Sequence, residues 1–160
     1  MPAPLNNEIT QSIQQAEALW KRRQIAIDAP FFTLHDLAHL DSRLNTQLSI
    51  LRQNSAQSWA ALEQQFNGSQ YKLDDLFPAT VLAFSETAPQ GWRDFLFELI
   101  GTDERQITAL ITTLGWLPLD SLKEYLLQFL EIPNPLYLRI AIATCAHHRA
   151  DVGDYLIAAL

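Results

Sequence analysis

Apolar residues recur along this chain in alternating steps of three and four, the spacing of one buried helical face. Ile9, Ile13, Ala16, Trp20, Arg23 and Ile27 follow that rhythm, which predicts a helix from Asn6 to about Asp28. Ala29-Pro30-Phe31-Phe32 breaks it, and the two Phe are expected to pack where the chain turns. Thr33-Leu-His-Asp36 reads as a capping box opening a second helix, with Asp in place of the usual Glu. Leu37, Leu40, Leu44, Leu48 and Leu51 continue it as an unbroken stripe to about Arg52. Trp59, Leu62 and Phe66 mark a third helix ending at Asn67-Gly68. Ile140-Ala-Ile-Ala alternates like a strand, but for four residues only and within a helical rhythm.

Beyond Leu73 the pattern repeats. Shifting the chain by 30 residues places Tyr155, Leu156 and Leu160 on Tyr125, Leu126 and Leu130, and a second shift reaches Phe95, Leu96 and Ile100. The first helices run through Phe77, Val81 and Phe84, then Ile107, Leu110, Ile111 and Leu114, then the segment opened by Asn134-Pro135. Gly101 and Gly115 are read as helix stops, with a turn at Trp116-Leu117-Pro118. Helix pairs in register are the signature of an α-solenoid, whose units stack because none buries its apolar stripe alone. The chain therefore reads as all-α: a helical capping or docking region over 1–72, then three helix pairs over 73–102, 103–132 and 133–160. In this register Phe95, Tyr125 and Tyr155 share one inter-repeat position. Ile157 falls on the uncovered end, where further repeats, a second copy or a partner is expected.

Charge changes the picture. Residues 1–72 carry six Lys/Arg against six Asp/Glu, whereas 73–160 carry five against twelve, so the formal net charge of −7 belongs to the second region. Such a surface repels phosphate backbones and attracts basic partners, so nucleic acid is not expected. A hydrophobic fraction of 48% with 18% charged residues is that of a globular chain. One cysteine, Cys145, allows no internal disulfide, and no apolar run is long enough to span a bilayer. The chain start lacks the pattern of a secretory signal, and a cytoplasmic protein without membrane contact is expected.

Candidate chemistry is sparse. His35-Asp-Leu-Ala-His39 puts two imidazoles at i and i+4, close to the zinc-protease pattern. Asp36 is better employed in the cap, however, and no third ligand follows from spacing, so no metal or cofactor is assigned. Cys145 with His147, His148 and Arg149 reads as the end of a helix, where cations suit the dipole. Lys21-Arg22-Arg23, also near a helix end, is read as a solvated one. Asp94, Glu124 and Asp154 share one repeat position near the start of successive second helices. They stabilise those helix starts, and they also form a candidate ladder for a basic partner. Trp116 and Tyr137, placed near turns, are further candidate contact residues, although Trp116 also suits a core position.

Glu17-Ala-Leu-Trp-Lys-Arg-Arg23, Phe32-Thr-Leu-x-Asp-Leu-x-x-Leu-Asp41, Leu114-Gly-Trp-Leu-Pro118 and the stretch from Arg139 to Gly153 together resemble a bacterial family. It is the HEAT-repeat conserved-hypothetical family often encoded in type VI secretion loci, and its members are usually longer. The resemblance runs from about residue 8 to 160. It implies a helical-repeat accessory protein beside secretion-spike and toxin genes, with no catalytic residues to transfer. The expected function is thus a non-enzymatic, HEAT-like scaffold, an adaptor or chaperone for a secretion effector or spike component. An immunity protein neutralising a cognate toxin is the alternative. A HEAT-like lyase or metal-dependent enzyme using Cys145, or His35 and His39, is the rival of another class.

Overall fold

The computed structural model describes residues 3–29, 31–68 and 71–148. Eight α-helices and one 3-10 turn, with no strand, make up the described residues. The chain forms two compact units, Met1–Leu82 and Ala83–Leu160.

In the first unit α1 (Ala3–Ile27) packs along α2 (Leu34–Gln53) and also against α3 (Ser55–Asn67). Ile9, Ile13, Ala16 and Trp20 are buried as their spacing predicts, together with Leu19 and Ala26. Ile27 departs from its expected face and is 51% exposed on the last turn of the helix. Phe31 also departs: it is 90% exposed and packs nothing at the turn, and Phe32 is 38% exposed.

The capping box of α2 is present in full. The Asp36 amide donates to Thr33 Oγ1 at 3.2 Å, and the Thr33 amide donates to Asp36 Oδ2 at 3.0 Å. Two orphan donors are satisfied reciprocally, which fixes where the leucine stripe begins. Leu44, Leu48 and Leu51 are fully enclosed, each contributing roughly 1.5–3 kcal/mol by leaving water. Asn54 closes α2 and precedes α3, its side-chain amide donating to the Ile50 carbonyl at 3.0 Å.

The 3-10 turn Leu73–Asp75 leads into α4 (Leu76–Ala83), and the turn packs against α1. Asp75 is buried, and its Oδ2 accepts from the Lys72 amide at 2.7 Å. Phe77 stacks on Trp20 with ring centroids 4.2 Å apart. These contacts bring residues 73–82, read from the sequence as the opening of the array, into the first unit.

The second unit carries α5 (Gln90–Ile100), α6 (Glu104–Trp116), α7 (Leu119–Glu131) and α8 (Pro135–His147). Gly101 ends α5 with φ +50, a left-handed value that glycine adopts without strain. Gly115 does not stop its helix, since α6 continues to Trp116. Its role is close packing: a Cβ at this position would lie 2.8 Å from the Cβ of His147. Both α6 and α7 pack against α8. Phe97, Phe129 and Tyr137 join α5, α7 and α8 through ring contacts of 4.3–5.4 Å.

Candidate functional site

In the second unit a cleft of about 330 Å³ is lined by Glu86, Asp120, Ser121, Glu124 and Tyr125. Its floor is Tyr125, half-buried and held on three sides. The ring meets Phe84 edge-on at 5.3 Å, the hydroxyl donates to the Ser85 carbonyl at 3.1 Å, and the Arg93 guanidinium lies 4.5 Å over the ring. Arg93 is itself anchored, donating to the Ala83 carbonyl at 2.9 Å. Phe84 and Arg93 thus take the contacts around Tyr125 described here, while Tyr155 lies outside the described residues.

Asp120 and Glu124 sit one turn apart on α7, so both face the cleft, and Glu86 reaches it from the turn after α4. Lys123 offsets Asp120 at 3.1 Å with both groups in water, a pair worth little on its own. The remaining carboxylates give the cleft a negative field suited to an ammonium or guanidinium group.

The sequence-predicted contact residues are distributed as follows. Glu124 lines the cleft, and Asp94 is exposed on α5. Asp94 faces Tyr137, whose phenol is raised above its ordinary value by burial and then by that carboxylate. Tyr137 is half-buried against Phe97 and Phe129, and Trp116 is half-buried at the end of α6. Asp154, Ile157 and Arg149 lie outside the described residues. The sequence alone does not mark Glu86, Asp120 and Tyr125 as contact residues. The i, i+4 spacing of Asp120 and Glu124 is a legible signal, but Glu86 joins them only through the fold.

Cys145 is buried, and burial pushes its thiol up, away from the thiolate a nucleophile needs. His147 lies against Gly115, and His148 Nε2 stands 2.9 Å from the Leu114 carbonyl, closing the C-terminal end of α6. Among the described residues no three His, Cys, Asp or Glu side chains come together as a metal site. Nor is any described helix long and apolar enough to cross a membrane.

His35 and His39 do share a cleft, of about 320 Å³, with Arg22, Phe32, Asp36, Leu40 and Arg43. The Thr33 amide and hydroxyl hold the Asp36 carboxyl below the usual range, with smaller help from His35 and His39. Arg23, beside this cleft, is committed to Asp41 at 2.5 Å.

No family model matches this chain, and no curated protein or solved structure matches it either.

Proposed function

We propose that this protein is a non-enzymatic helical scaffold that binds a basic segment of another protein through its second unit. The observation that carries the reading is the carboxylate-lined cleft of Glu86, Asp120 and Glu124 over the rigidly held Tyr125. A fixed aromatic floor with acidic walls is the chemistry that takes a lysine or arginine side chain. Asp94, which shares the repeat position of Glu124, is a further acidic candidate, and Trp116 and Tyr137 are apolar ones; Asp154 and Ile157 are candidates from the sequence alone.

The HEAT-like solenoid is part of this proposal. It is supported by the 30-residue register and by the packing of α8 on both helices of the preceding pair. The resemblance of the four motifs to the type VI secretion family supports an adaptor or chaperone role toward an effector or spike component. An immunity role would use the same acidic surface and would be distinguished by stoichiometric inhibition of a toxin's activity.

The test is capture of partners from the native cell by the parent and by a Glu86→Gln/Asp120→Asn/Glu124→Gln variant. The proposal expects a discrete basic protein that the parent retains at low salt and the variant loses. Equal capture by both would reject the cleft as the binding surface.

A further inference from the structure

The cleft between α1 and α2 carries an unused cluster of anion-binding side chains. Arg22 comes from α1, Arg43 from α2, and His35 and His39 from the first turns of α2, all around one opening of about 320 Å³. Among the described residues neither Arg22 nor Arg43 has an ion-pair partner, while neighbouring Arg23 is bound to Asp41 and Arg139 is bound bidentately to Glu104. In a chain with eighteen acidic residues against eleven basic ones, two unpaired guanidinium groups facing one cleft stand out. Asp36 shares the cleft, but its Oδ2 is already committed to the Thr33 amide and hydroxyl, each at 3.0 Å.

We propose that this cleft binds a phosphate monoester carrying an apolar body, with the phosphoryl group held between Arg22 and Arg43 and the body against Phe32. Two arginine forks from different helices, with two imidazoles beside them, offer more donors than a flat carboxylate can accept. A phosphoryl group has three terminal oxygens to receive them. The apolar side of the site is built as well: Phe32 lines the cleft, and the adjoining Phe31 and Leu34 are 90% and 87% exposed. Exposed large apolar residues beside a basic cleft fit a ligand with both a charged head and a greasy tail. Such a monoester comes either from a soluble metabolite or from the headgroup of phosphatidic acid.

The experiment is calorimetric titration of the full chain with inorganic phosphate, phenyl phosphate and, as the carboxylate control, benzoate. Vesicles of phosphatidylcholine with and without phosphatidic acid form a second arm. The proposal expects phenyl phosphate to bind about tenfold or more tightly than benzoate, and Arg22→Ala/Arg43→Ala to abolish that preference. Both arginines are on the surface, so thermal melts of the unliganded variant should match the parent, and Arg22→Lys/Arg43→Lys should retain part of the affinity. Binding to phosphatidic acid vesicles that is lost in Phe31→Ser/Leu34→Ser identifies the lipid as the source. Binding of phenyl phosphate without vesicle binding identifies a soluble one. No binding in either arm, equal affinity for benzoate, or affinity untouched by the double alanine variant would overturn the site.

Discussion

Glu17 on α1 and Asp75 in the 3-10 turn meet as a carboxyl–carboxylate pair. Glu17 Oε1 and Asp75 Oδ1 are both buried and receive no donor from the rest of the protein. Two carboxyl groups hydrogen-bond only when one of them keeps its proton. Burial, then the bond from Asp75 and the charges of Asp75 and Asp74, push Glu17 up to about 8, with Lys72 opposing.

The pair makes the first unit sensitive to pH. Glu17 titrates near 4.5 when unfolded and near 8 when folded, so the folded state holds the extra proton between these values. Its stabilising contribution is full below 4.5 and is lost as pH rises through 8. Thermal melts of the parent should therefore fall in midpoint across that interval. Glu17→Gln, which keeps an N–H donor toward Asp75, should flatten the fall, and an unchanged slope would show that the proton lies elsewhere.

Gly115 predicts a substitution of opposite sign to its helix propensity. Alanine would gain up to about 1 kcal/mol as a helix former. Its Cβ, however, would meet His147 Cβ at 2.8 Å, an atom close to the backbone that moves only with α8. Overpacking of this kind costs about 1–3 kcal/mol, so Gly115→Ala should lower the denaturant midpoint. Gly91→Ala on α5, where nothing lies within 4 Å, is the control and should raise it or leave it unchanged.

Tyr125→Phe removes the hydroxyl bonded to Ser85 and leaves that carbonyl without this donor. The loss should be about 0.5–1.5 kcal/mol in chemical denaturation. The Phe84 ring and the Arg93 guanidinium stay in place, so the cleft floor and its proposed affinity for a basic partner should survive. A variant as stable as the parent would mean that water replaces the bond without penalty.

Thr33→Ala removes the Oγ1 half of the cap on α2, leaving the backbone amide bond to Asp36 in place, and should cost about 1 kcal/mol. Amide exchange should accelerate first at residues 34–37, in the opening turn, with the leucine stripe beyond Leu40 still protected. Uniform exchange along α2 would show instead that the cap governs the whole helix.

The legible parts of this fold were those set by local chemistry. The capping box, the leucine stripe of α2, Asn134-Pro135 opening α8 and Gly101 ending α5 each follow from neighbouring residues alone. Gly115 lies one residue inside the end of α6, and the reason for a glycine there lies 32 residues away, at His147. Phe31 does not pack at the turn as expected, because spacing within a turn carries no information about which side faces water. The acidic residues of the candidate cleft were half legible. Glu124 stood out by its repeat position, whereas Glu86 and the floor at Tyr125 depend on how the turn after α4 folds over α7.

The central claim, that the acidic cleft is where a partner binds, is tested most directly by site-specific photo-crosslinking in the native cell. A photoreactive residue replaces Glu86, at the rim of the cleft, and a control replaces Ser49, exposed on α2. Position 86 should yield a discrete adduct with a protein whose contact peptide is rich in Lys or Arg, position 49 should not, and the adduct should fade with added salt. The same adducts from both positions, or none from position 86, would contradict the assignment.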